Sequence, residues 1–193
     1  MSEAFAEPWL APRSPIEDMG LPTGPDFAIE EAAPADRFIF RGDEAARAGC
    51  STAFGADLPA QLGPAGEGKN CAALWLGPDE WLLIQGGGDP EMFPTRIALA
   101  LESQPFSLVD VSSRQLGLVV SGAKAARALS AGCPLDLCLK ACPVGMATRT
   151  LFDKAEIVLW RRGDAAFQVE VWRSFAPYLV DALIEAAGGA PDF

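Results

Sequence analysis

Asp110 interrupts the apolar run Leu108-Val109-Asp110-Val111, and Ser112, Ser113 and Arg114 follow at once. A carboxylate in that position either faces a pocket or subunit contact, or it caps the turn and pairs with Arg114. Short-range hydrogen bonding of the second kind is common for Asp, so a structural role is the expectation. Gly63-Pro64-Ala65-Gly66-Glu67-Gly68-Lys69-Asn70 approaches a phosphate-binding loop. It fails where the chemistry is decided. Asn70 stands where a Ser or Thr would hold magnesium, and an apolar strand follows where a helix N-terminus is required. Gly86-Gly87-Gly88 lacks the strand-G-x-G-x-x-G-helix context of a dinucleotide site and reads as a loop. Cys133, Cys138 and Cys142 cluster, and Cys138 and Cys142 have tolerable spacing for half a zinc site. No second short pair closes a tetrahedron, so these thiols, with Cys50 and Cys71, are expected to be buried and free.

The chain of 193 residues contains no histidine. That removes the commonest general base, the Ser-His and Cys-His nucleophile pairs and most metal sites. An enzyme using carboxylates or a borrowed cofactor stays open, but no catalytic, cofactor-binding or metal-ligating residue is expected here. A net charge of −11 repels phosphate backbones and anionic lipid alike, so neither nucleic acid nor membrane is expected as a partner. No stretch approaches the roughly 20 apolar residues of a spanning helix, and the start lacks the basic and apolar regions of a signal peptide. A cytoplasmic protein with reduced cysteines is the expectation.

The elements that must position these residues fall in two regions. Residues 1–35 hold Pro8, Pro12, Pro15, Pro22, Pro25 and Pro34, which oppose regular pairing by removing donors and fixing φ. They also carry Phe5, Trp9, Leu10, Ile16, Met19, Leu21 and Phe27, which a solvated tail does not need. An extended arm lying on its own domain or, preferably, on a partner is expected. Residues 36–193 read as one globular α+β domain, possibly two small, intimately packed halves. Residues 37–42 suit a short strand, Asp43 to Ala48 a helical turn, and 58–71 a Gly/Pro loop. In "LWLGPDEWLL" (74–83), two apolar runs flank Gly77-Pro78-Asp79, which is turn chemistry between hairpin strands. Its tryptophans, with Trp160 and Trp172, are expected to be mostly core.

Phe93, Ile97 and Leu101 recur at helical spacing. Strands are expected at 106–112 and 115–122, then a helix near 123–131 and a turn-rich stretch from Cys133 to Met146. The later strands end in Gln168-Val169-Glu170-Val171, whose alternation predicts a half-exposed strand. A last helix is expected with Ser174 as N-cap, Pro177 in its first turn, and Gly188 past its end. The order β-β-α-β-β-α-β-β-α, with hairpins before helices, predicts a mainly antiparallel sheet in one or two split β-α-β (ferredoxin-like) layers, with helices on one face.

"LWLGPDEWLL", "LVDVSSRQLGLVVSGAKAARALSAGCPLDL" and "TRTLFDKAEIVLWR…FQVEVWRSFAPYLVDAL" together resemble the gamma subunits of heterotetrameric sarcosine oxidases, over about Ala72 to Ala187. More distantly the chain is similar to the folate-binding domain of the glycine-cleavage T-protein. There a D-x-S strand precedes a G-x-x-A helix, as Asp110, Ser112, Gly122 and Ala125 do here. The resemblance implies a non-catalytic subunit of a flavoenzyme that demethylates sarcosine to glycine. The one-carbon unit would pass to tetrahydrofolate and electrons to oxygen, giving hydrogen peroxide. It implies alpha, beta and delta partner subunits, with FAD, FMN, NAD and the tetrahydrofolate site in alpha and beta, and zinc in delta. Related complexes act on dimethylglycine or N-methylglutamate. A stand-alone folate-binding or folate-dependent one-carbon protein is the alternative.

Overall fold

The computed structural model describes residues 13–87, 91–102 and 104–188. Two antiparallel sheets pack back to back, each with a helix pair on its outer face. The first contains β2 (Asp36–Gly42), β4 (Gly66–Gly68), β5 (Cys71–Gly77), β6 (Glu80–Gln85) and β7 (Phe106–Asp110), in the order β4-β5-β6-β2-β7. Helices α1 (Glu44–Phe54) and α2 (Met92–Leu101) cover it. The second contains β1 (Ala28–Glu31), β3 (Gly63–Pro64), β8 (Gln115–Ser121), β9 (Met146–Phe152), β10 (Ala155–Gly163) and β11 (Ala166–Trp172), in the order β1-β8-β11-β10-β9-β3. Helices α3 (Ala125–Ser130) and α4 (Ala176–Gly188) cover that one. The expected α+β class, with mainly antiparallel sheets and split β-α-β layers, is what the structure shows.

The two sheets share one wiring. In the first, β2-α1-β5-β6-α2-β7 gives the spatial order β5-β6-β2-β7. In the second, β8-α3-β10-β11-α4 gives β10-β11-β8, and β1 from the start of the chain fills the place that β7 holds in the first. Each unit also gains a strand pairing outside its hairpin: β4 beside β5, and β9 beside β10.

Of the segment 1–35, expected as an extended arm on its own domain or on a partner, the described part lies against this same chain. Ala28 to Glu31 pair with Ser121 to Leu118, and Ile16, Phe27 and Ile29 are buried in the core beneath α3 and α4. The prolines permit it because β1 lies in the proline-free run between Pro25 and Pro34. A sheet edge is also where a flanking proline is tolerated. Residues 1–12 of the expected arm lie outside the described residues.

Alternation assigns the hairpin side chains. Ala73, Trp81 and Leu83 join the core under α1 and α2, while Ala72, Leu74, Leu76, Leu82 and Ile84 join the layer between the sheets. Both faces are covered, so the runs around Gly77-Pro78-Asp79 are continuously apolar, and Trp75 pairs with Trp81 across the strands. Trp81 is 1% exposed and its indole N–H donates to the Pro59 carbonyl at 2.8 Å, whereas Trp75 is half-buried.

Three expectations shift by local causes. Helix α1 runs to Phe54, since Asp43 caps it by accepting from the Ala46 N–H at 2.9 Å and Gly55 closes it at φ +85°. Ser174 lies in a 3-10 turn (Arg173–Phe175) before α4, and Gly188 is the last helical residue. Trp172, expected in the core, is 39% exposed at the strand end. Among the described residues no helix is long and apolar enough to cross a membrane.

Candidate functional site

The layer between the sheets holds the polar chemistry of the molecule. Phe38 and Phe40 point toward α1 and α2, so alternation along β2 turns Arg37 inward to the second sheet. On β11, Phe167, Val169 and Val171 face α3 and α4, which turns Gln168 and Glu170 inward in the same way. Arg37 Nε donates to Glu170 Oε2 at 2.5 Å and Nη2 to Oε1 at 3.3 Å, while Nη1 donates to the Ala35 carbonyl at 2.7 Å. Gln168 Nε2 donates to Glu170 Oε1 at 2.7 Å, and Gln168 Oε1 accepts from Arg162 Nη1 at 3.2 Å. The Arg162 guanidinium lies 3.8 Å from the centre of the Trp160 ring. Gly117, paired with Glu170, makes room: a Cβ there would lie 2.5 Å from Arg37 Nη2 and 2.7 Å from Glu170 Oε1.

This corrects the half-exposed strand expected at Gln168–Val171, because Gln168 is 7% and Glu170 1% exposed. Their outward-looking alternation is real, but its polar side meets a second sheet. Arg162, Trp160 and Gln168 open on a cleft of about 330 Å³ whose wall mixes Ala32 to Ala35, Ala72 and Ile84 with the polar side chains of Glu67 and Asn70. A second ion pair, Arg149 with Glu80, links the sheets elsewhere.

The residues singled out by type are not brought together. Asp110 is exposed and accepts from the Ser112 N–H at 2.8 Å, the expected turn cap. The expected partner Arg114 instead lies over Trp172 at 5.0 Å. Ser112 Oγ accepts from the Arg37 N–H at 2.9 Å, tying β2 to the end of β7. Gly122 has φ +106°, and a Cβ there would meet the Asp26 carbonyl at 2.4 Å, where the N-terminal segment crosses. Ala125 is fully buried in α3.

The glycine-rich stretch 63–70 crosses from one sheet to the other through β3 and β4. A Cβ at Gly66 would lie 1.6 Å from the Asp57 carbonyl, and one at Gly68 2.1 Å from that of Gly55. These glycines admit the turn that follows α1, so the stretch does not fit a phosphate group.

Cys50 and Cys142 are buried as expected, and Cys133 lies 3.8 Å from Thr150 Oγ1. Cys138 departs from expectation, being exposed with its thiol 3.3 Å from Asp136 Oδ2. Burial pushes the Cys50 thiol up to about 12 and raises Cys142 despite the Arg161 guanidinium. Raised thiols are poor nucleophiles, since the thiolate is the reactive form. The Asp136 carboxyl is held below its usual range by the Cys138 N–H and thiol.

Sequence reasoning missed the Arg37–Glu170 pair and Arg161. Arg161, 3% exposed, donates to the carbonyls of Leu137, Cys142, Gly163 and Asp164 and lies over Phe167, stapling the turn-rich stretch to β10. Basic residues inside "LWRRG" and "DRFIF", with an acid in "FQVEVW", were the available signals.

Two split units back to back with helices outside define the class. An aminomethyltransferase T of the glycine cleavage system from Bartonella henselae superposes at a TM-score of 0.60 with 12% identity. The match covers 81% of this chain and 45% of that one, a likeness of fold alone. The chain belongs to the sarcosine oxidase, gamma subunit family, whose pattern matches residues 41–188. Sarcosine oxidase subunits gamma from Corynebacterium sp. (strain P-1) and Arthrobacter sp are each 34% identical. The first match spans 72% of this chain and 68% of the relative, the second 74% and 70%. A chain of the heterotetrameric sarcosine oxidase from Corynebacterium sp. U-96, solved in complex with pyrrole 2-carboxylate, superposes at a TM-score of 0.84 with 27% identity. That match covers 94% of this chain and 98% of that one.

Proposed function

We propose that this chain is the non-catalytic gamma subunit of a heterotetrameric sarcosine oxidase, holding the assembly together while partner chains oxidise sarcosine to glycine. The carrying observation is the superposition on a chain of such a heterotetramer, nearly end to end in both chains. The site geometry supports the non-catalytic part. The most buried carboxylate, Glu170, is committed to Arg37; Asp110 caps a turn; and the thiols raised by burial favour their unreactive form. Hydride removal from an N-methyl amine requires a flavin, and the glycine stretch that could have cradled a cofactor phosphate is packed against the Gly55 and Asp57 carbonyls of the turn after α1. FAD, FMN, NAD, tetrahydrofolate and zinc then belong to the partner alpha, beta and delta subunits. Five free thiols support a reducing, cytoplasmic setting.

The test is purification of the tagged chain from its native cells, followed by an assay of the complex and of the chain alone. We expect three further chains in fixed ratio, flavin absorbance, and peroxide from sarcosine only in the complex. Turnover by the isolated chain with sarcosine, added FAD and tetrahydrofolate, lost in Asp110→Asn, would overturn the assignment. A monomer from cells that binds folate at micromolar affinity would favour the stand-alone alternative.

A further inference from the structure

We propose that the cavity lined by Arg114, Gln115 and Glu156, in the layer between the sheets, binds a small aliphatic amino acid as its zwitterion. Leu116 and Leu118 face α3 and α4, so alternation along β8 turns Gln115 inward to that layer. Gln115 is 7% exposed, and its Oε1 has no hydrogen-bond donor among the described residues. A buried acceptor without a donor is costly, and marks the place of a missing partner. Gln115 lines a cavity of about 240 Å³ that shares no residue with the cleft at Arg162.

The charges on this cavity leave one of each sign unmatched. Glu80 and Arg149 on its wall pair with each other. Arg114 and Glu156 line it as well, are exposed, and make no ion pair among the described residues. Strand register gathers them at the Gln115 end. Gln115 pairs with Trp172 and Ile157 with Val171, so Glu156 continues the row of Gln115 and Trp172. The Arg114 guanidinium lies over that same Trp172 ring at 5.0 Å. Ile39, Val109, Val111 and Val158 supply the apolar part of the wall. The volume is below the roughly 300–1,000 Å³ of drug-sized sites, so the ligand is small. A simple carboxylate would answer Arg114 but leave Gln115 and Glu156 unmatched, and a simple amine would do the reverse. An amino acid satisfies all three. Its carboxylate accepts from Arg114, its ammonium donates to Gln115 Oε1 opposite the Glu156 charge, and an aliphatic side chain meets the valines.

Calorimetric titration of L-valine into the full chain, and into the complex purified with it, tests this. Isobutylamine and isovalerate, which lack the carboxylate and the amine in turn, run beside it. We expect saturable valine binding in both preparations, roughly tenfold or more tighter than either analogue, as loss of a charge-assisted contact implies. Arg114→Gln should abolish the preference for valine over isobutylamine, and Glu156→Gln the preference over isovalerate. Both residues are exposed, so neither change should disturb folding. Gln115→Leu should weaken valine roughly tenfold, with a cooperative melting curve as the check on its fold. Absence of saturable valine binding would overturn the proposal and leave Gln115 to a water molecule. Equal affinity for valine and isobutylamine would overturn it too, as would Arg114 and Glu156 variants that bind like the parent. Binding to the free chain that vanishes in the complex would assign the cavity to a partner subunit, and the proposal would fall.

Discussion

Arg37 and Glu170 lie 133 residues apart in sequence, with side chains 7% and 0% exposed. Removing one partner leaves a buried charge unpaired, at a cost of about 3–5 kcal/mol. The unfolding free energy from urea titration should therefore fall by that amount for Arg37→Met or Glu170→Gln. The double variant Arg37→Met/Glu170→Leu should recover most of the loss, because well-packed apolar substitutes for a buried pair are often neutral. A double variant no better than the singles would show that the pair itself sustains the fold. Nothing local could reveal this contact. Glu170 sits in an alternation that reads as facing water, and its partner is supplied by a distant strand. Asp110, by contrast, was legible because its hydrogen bond closes within two residues. Cys50 makes a pH prediction. Burial raises its thiol from the ordinary value near 9.0 to about 12, so its contribution to stability is complete below pH 9 and is lost as pH rises toward 12. The alkaline fall in melting temperature should be shallower in Cys50→Ala across that window. If the two curves run parallel, the buried thiol is not the cause.

The β5–β6 hairpin shows what was readable at the level of elements. Gly77-Pro78-Asp79 fixed the turn, and the apolar runs fixed the strands. That the runs are apolar at every position, instead of alternating, is the mark of a strand covered on both faces. Trp81→Ala in the isolated chain should cost about 3–5 kcal/mol by denaturant titration, as truncation of a buried aromatic does. An unchanged midpoint would contradict burial within this chain. The strands β1, β3 and β4 escaped notice because two to four residues carry no period, and prolines and glycines beside them read as loop. In the glycine-rich crossing, residue type matters through backbone proximity. Gly66→Ala drives a Cβ into the Asp57 carbonyl and should cost more than about 2 kcal/mol. Gly63→Ala meets nothing within 4 Å and should stay within about 0.5 kcal/mol. Equal effects at the two positions would remove the packing account of this stretch.

At the scale of the whole molecule the fold class, the hairpins and most helices were legible, because hydrophobic period and turn residues act locally. The back-to-back stacking was not, since it depends on which faces of two sheets meet. The chain crosses between sheets repeatedly: β1 lies in one, β2 in the other, and β3 and β4 divide within six residues. Neither sheet is a continuous stretch of sequence, so both should melt in a single calorimetric transition; two resolved transitions would show independent halves. The seat of β1 carries a further consequence. Its pairing with β8 matches that of β7 with β2, yet β7 follows its unit's second helix while β1 is supplied from the other end of the chain. A circular permutant that begins near Arg114 and runs from α4 through a new linker into the N-terminal segment would carry two consecutive copies of one β-α-β-β-α-β plan. Such a chain should fold to the same sheets, which marks the present order of the sequence as one of two equivalent ways to thread a tandem repeat.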